Sequence, residues 1–246
     1  MKIRTIHAKR LLALVAGLGF AAWGTSVAKA NLLSNGNMDV TSVGPQALAT
    51  PTGWNVISAL PSTPGFNDGA SSEPWNNVAD PSGFGVFFKT FFGDGANNLT
   101  VHLFQDNPAT PGLTYTLTGW AGAGPGYSGF VSGGPTTTEF ALQFLDAGSS
   151  IIGGTVLNLV PAGLGTGTTP GLGFGYKEFS VFGTAPAGTV SVRSRLSIIN
   201  AYDVPGAGDA AFVGDNFILA VPEPTTAALV GLGLTALVGM RRRKLS

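Results

Sequence analysis

Thr189-Val190-Ser191-Val192-Arg193-Ser194-Arg195-Leu196-Ser197-Ile198-Ile199 is the stretch that decides the fold. Val190, Val192, Leu196 and Ile198 fall on one side of an extended chain and Ser191, Arg193, Arg195 and Ser197 on the other, because successive strand side chains point to opposite faces. One face is expected to be packed and the other wet. Phe140, Leu142 and Phe144 repeat the pattern, as do Tyr115 and Leu117 opposite Thr114, Thr116 and Thr118. Between Phe84 and Leu219 the same signal, punctuated by turn residues, predicts strands at 84–92, 99–105, 114–120, 138–145, 151–159, 177–182, 189–199 and 211–219. Eight short strands without an amphipathic helix suit an all-β, two-sheet jelly-roll β-sandwich. Residues 41–83, rich in Pro, Gly, Ser and Asn, read as a long loop.

Composition agrees with a β protein: Gly 37 and Pro 16 among 246 residues weaken helix interiors and supply turns. The net charge of zero conceals an uneven distribution. Only Lys89, Lys177, Arg193 and Arg195 lie within residues 31–220, against 12 acids, so the body carries 4 − 12 = −8. Such a body repels polyanions, which excludes nucleic acid as an expected partner. The absence of cysteine removes disulfides, thiol nucleophiles and thiolate metal sites.

The termini read as addresses. Lys2, Arg4, Lys9 and Arg10 precede the apolar run from Leu11 to Trp23, and Ala28-Lys29-Ala30 offers small residues two apart. That is the tripartite form of a signal peptide, residues 1–30, with signal peptidase as partner and Asn31 as the expected mature N-terminus. At the other end Val221-Pro222-Glu223-Pro224 precedes an apolar segment, 225–240, closed by Arg241-Arg242-Arg243-Lys244. The prolines fix where a helix can begin, and the cations resist translocation. A single short transmembrane helix is expected, with the body facing outward.

In that order, Val221, Pro222, Glu223 and Pro224, the apolar helix and the cluster Arg241, Arg242 and Arg243 resemble the PEP-CTERM sorting signal, here residues 221–246. The resemblance implies recognition by exosortase, a membrane-embedded cysteine protease, in an exopolysaccharide-producing bacterium. It further implies loss of Thr225–Ser246 and placement at the cell surface or in the biofilm matrix after transient membrane anchoring. Within residues 31–220, Asn31-Leu32-Leu33-Ser34-Asn35-Gly36-Asn37-Met38-Asp39, Gly53-Trp54, Thr110-Pro111-Gly112-Leu113-Thr114-Tyr115-Thr116-Leu117, Ala185-Pro186-Ala187-Gly188-Thr189 and Gly214-Asp215-Asn216-Phe217-Ile218-Leu219 resemble the galactose-binding-like jelly roll of carbohydrate-binding modules. That resemblance implies a structural calcium ion shared by Asp39 and Asp215, on opening and closing strands that lie side by side.

Sugar recognition uses aromatic faces against pyranose rings. Trp75, Trp120, Tyr127 and Phe130 are the candidate ligand-binding residues, Trp75 in a polar loop and Tyr127 with Phe130 in a Gly-rich segment. His102 is the sole histidine of the body, too few for a histidine zinc site, and no Gly-x-Ser-x-Gly elbow accompanies it. A glycosidase needs two carboxylates at a set separation, which no sequence spacing supplies here. The expectation is a non-enzymatic surface or matrix protein that binds extracellular polysaccharide, with a structural or adhesive matrix protein as the alternative and a secreted glycoside hydrolase third.

Overall fold

The alternation at 189–199 is realised as the middle strand of a five-stranded antiparallel sheet. Its order is β1 (Asn55–Ala59), β4 (Leu99–Pro108), β10 (Ser191–Ala201), β6 (Thr137–Leu145) and β7 (Ile151–Asn158). The second sheet runs β2 (Ala70–Glu73), β3 (Gly85–Phe88), β11 (Phe212–Ala220) and β5 (Thr114–Ala123). The far edge of β5 is shared by β9 (Lys177–Thr184), antiparallel, and the two-residue β8 (Gly165–Thr166), parallel. The computed structural model describes residues 30–40, 50–59, 69–74, 83–90, 93–167, 173–208 and 210–221. Residues 1–29 of the expected signal segment, Trp75, and Pro222, Glu223 and Pro224 of the sorting motif with all that follows them lie outside these.

From β3 to β6, and again from β9 to β11, the chain crosses between sheets at every step, so the architecture is the expected all-β two-sheet sandwich. Each of the eight expected runs overlaps a strand. Three strands were not expected: β1, β2 and the two-residue β8. β1 and β2 lie inside the stretch read as a long loop, because Asn55-Val-Ile-Ser-Ala is short and Ala70-Ser-Ser-Glu has almost no apolar signal. Ser71 and Ser72 are nonetheless buried, and Ser72 donates to the Met38 carbonyl at 3.3 Å. Among the described residues no helix is long and apolar enough to cross a membrane.

The core lies between the sheets. From β10 it takes Val192, Leu196 and Ile198, with Ser194 also inward. Val190 departs from expectation. It precedes the strand and is 48% exposed, although its N–H donates to Leu145 O at the end of β6. Phe217 of β11 joins the two layers, its ring centre 6.1 Å from Phe140 of β6 and 5.4 Å from Trp54. Gly119 makes room for it: a Cβ there would stand 2.4 Å from Phe217 Cδ1. Beside Phe217, Asn216 adopts φ 49° at a bulge in β11, a left-handed conformation that Asn tolerates better than most residues.

Candidate functional site

The register of the five-stranded sheet determines which side chains meet on its outer face. One row reads Asn55, Phe104, Arg195, Ala141, Val156; the next reads Ile57, His102, Ser197, Glu139, Asn158. A third brings Asp106, Arg193, Gln143 and Gly154 into line. Two of the body's four cations thus stand two residues apart at the centre of one face.

Each of these arginines is paired. Arg193 meets Asp106 directly across the ladder, Nε to Oδ1 at 2.7 Å and NH2 to Oδ2 at 2.8 Å. Its guanidinium carbon also lies 4.1 Å from the Phe104 ring centre. The Asp106 hydrogen bond holds the Arg193 proton more tightly than usual. Arg195 reaches diagonally, one terminal nitrogen donating to Glu139 Oε2. Burial pushes its pKa down, Glu139 works against that shift, and neighbouring Arg193 adds to it. His102 Nδ1 is 2.8 Å from Ser197 Oγ. Its pKa is lowered first by burial and then by the Arg195 charge, which Glu139 only partly offsets.

Two polar atoms on this face are sealed from solvent and have no hydrogen-bond partner among the described residues: Gln143 Oε1 and Arg195 Nε. Gln143 is 6% exposed, and its strand pairing sets it one row from Arg195. Leaving such a group unpaired costs about 1–3 kcal/mol. One atom needs a donor and the other an acceptor. A hydroxyl group supplies both.

The sequence-predicted residues are spread apart. Trp120, half-buried, lies on the outer face of the other sheet, in register between Asp215 and Glu178. Tyr127 is a core residue. It is 1% exposed, its hydroxyl is 2.6 Å from Thr138 Oγ1, and burial raises its pKa. Phe130 packs edge-on against it at 5.8 Å. The Gly-rich segment around them does form core, because Tyr127 stacks on Phe212 of β11 at 5.5 Å. The sequence signal for the outer face was present in the polar half of the 191–197 alternation, but its cross-strand partners come from β4 and β6, which only the register reveals.

Asp39 and Asp215 are held in different settings. Asp39 Oδ1 accepts from the Phe84 N–H at 2.7 Å and its other oxygen accepts from the Asn37 side chain. Asp215, 0% exposed, accepts from the Asn216 N–H at 2.6 Å. Calcium wants six to eight oxygens. Among the described residues no three of His, Asp or Glu converge on a point. The opening segment does lie beside the closing strand, as the resemblance implied: Leu32 N–H donates to Leu219 O at 2.8 Å.

Comparison with known proteins gives the following. No curated protein matches the chain. The solved structures it resembles include the enzymatically active domain of tailspike protein 4 from bacteriophage CBA120, at 12% identity and TM-score 0.49, over 78% of this chain and 21% of that one. The chain therefore spans about a fifth of that tailspike chain. A cyclase from Fischerella sp. in its apo form matches at 16% identity and TM-score 0.49, over 80% and 97%. TmCBM61, a carbohydrate-binding module solved with β-1,4-galactotriose, matches at 14% identity and TM-score 0.43, over 78% and 99%. Likeness at this level assigns neither ligand nor activity. The terminal residues give the definite match: the chain carries the PEP-CTERM protein-sorting motif at residues 220–244.

Proposed function

We propose that this protein is an exported, non-enzymatic surface or matrix component, sorted and processed by exosortase, whose sandwich binds neutral extracellular polysaccharide on the outer face of the five-stranded sheet. The observation that carries the binding reading is the two partly exposed ion pairs fixed side by side on that face, Arg193–Asp106 and Arg195–Glu139. Sugar hydroxyls give and accept hydrogen bonds at once, and guanidinium and carboxylate groups fixed by each other offer both roles without moving. The negative body and the neutralised arginines favour an uncharged glycan over a uronate-rich one. Asp106 and Glu139 are each engaged by a guanidinium.

Affinity electrophoresis of the protein in gels containing the producer's own exopolysaccharide tests this. Retardation is expected, abolished by Arg195→Ala and retained by Trp120→Ala. The opposite pattern would move the site to the other sheet. Normal mobility of the unaltered protein would favour the adhesive reading, for which the 69% exposed Phe182 on β9 is the specific support.

A further inference from the structure

β11 is completed by the opposite end of the chain. On one edge it pairs with β5 down to Ala220. On the other, β3 reaches only Phe212–Gly214, and the remaining groups are taken by the opening segment. Phe217 N–H donates to Gly36 O at 2.7 Å and Leu32 N–H to Leu219 O at 2.8 Å. The Asn31 side chain supplies the rest. Its Nδ2 donates to Phe217 O at 2.9 Å, and its Oδ1 accepts from Leu219 N–H at 3.0 Å and Leu33 N–H at 3.1 Å. Residues 31–36 therefore satisfy both main-chain groups of Phe217 and of Leu219 on this edge. The fit is close: a Cβ on Gly36 would stand 2.2 Å from Phe217 O.

This contact lies where the sorting motif starts. Ala220 is buried and Val221 packs on the core, yet both belong to the motif matched at 220–244. A peptidase cleft takes its substrate extended and unpaired. Upstream of Val221 the chain is paired on both edges for as long as the opening segment is docked.

We propose that Asn31 heads a clasp that positions C-terminal processing: docked on β11, residues 31–36 keep 217–221 in the fold and confine the membrane peptidase to bonds beyond Val221. This rests on the reading of the motif as a processing signal. In the cut, water adds its hydroxyl to the acyl carbon and its proton to the leaving nitrogen. The clasp joins residues 186 and 188 positions apart, so it closes only when the whole body has been exported. Processing at a fixed place then reports a folded body.

The test expresses the full chain in its native host as wild type, Asn31→Ala and Gly36→Ala. Hydrogen exchange and the intact mass of the surface-extracted protein are the two readouts. Both variants are expected to raise exchange at the Phe217 and Leu219 amides at least tenfold while Val192 and Leu196 stay protected. The single wild-type C-terminus should at the same time spread to positions before Val221. Unchanged exchange at the two amides overturns the clasp, and an unchanged C-terminus despite faster exchange overturns its role in processing. A wild-type chain still ending at Ser246 overturns the processing reading, and the role with it, while the amides still decide whether the contact holds. Asn31→Ala removes only the side-chain bonds and keeps a small residue at the expected signal-peptidase site, so it stands if Gly36→Ala does not fold.

Discussion

The Arg193 guanidinium lies 4.1 Å from the centre of the Phe104 ring while two of its nitrogens hold Asp106. The ring and the carboxylate together fix a side chain that would otherwise sample many rotamers, and a fixed guanidinium loses less entropy when it binds. Phe104→Ala is therefore expected to weaken polysaccharide retardation about fivefold to thirtyfold, equivalent to about 1–2 kcal/mol. The Arg193–Asp106 bonds should persist, while the thermal midpoint also falls, because Phe104 is 9% exposed and truncating a buried aromatic costs about 3–5 kcal/mol. Affinity electrophoresis against scanning calorimetry separates the two effects.

Glu139→Gln leaves Arg195 charged and largely enclosed, with 16% of its side chain exposed. A buried pair broken on one side costs several kcal/mol, and partial exposure reduces the loss here to about 1–3 kcal/mol. Replacing both partners, Glu139→Gln with Arg195→Met, should cost less than Glu139→Gln alone, because no unpaired charge remains. Urea denaturation of the four members of this cycle measures the coupling.

Phe217→Ala removes the ring that bridges Trp54 and Phe140 across the sandwich, at 5.4 and 6.1 Å. The expected loss is about 3–5 kcal/mol, the range for a buried aromatic truncated to alanine. Leu142→Ala in β6, also fully buried, should cost about 2–5 kcal/mol. Equal slopes in the two denaturation curves would show that both act on the folded state.

The fold was largely legible because the sandwich is written in period two. Val192, Leu196 and Ile198 face the core as their spacing requires. What escaped was structure set by pairing rather than by pattern. β2, with Ser71 and Ser72 buried, is a strand because Val86 and Phe87 pair with it, not because its own residues favour one. Tyr127 stood out as a candidate because it lies in a Gly-rich segment, where the ring stacks on Phe212. The candidate face was half visible: Arg193 and Arg195 stood on the polar side of one strand, but Asp106 and Glu139 come from strands 87 and 56 positions away. Only the register joins them.

His102 offers a clean pH readout because it is the body's sole histidine, the other being His7 in the signal segment. It is faced by Arg195, Glu139 and Arg193, with the Ser197 hydroxyl on Nδ1, and burial and the arginines hold its pKa below the ordinary 6.5. Below that value the unfolded chain takes up a proton that the folded one refuses. The unfolded state then binds more protons, and stability falls as pH falls, from about pH 6.5 down to the folded pKa. Above pH 6.5 both states are neutral at this site and the contribution vanishes. His102→Gln should therefore flatten part of the decline in the urea midpoint between pH 7 and pH 5 without changing its value at pH 7.5. A ring-proton NMR titration of the unaltered protein should place the His102 midpoint below 6.5. A midpoint above 6.5 would mean that Glu139, rather than burial and the two arginines, governs the ring.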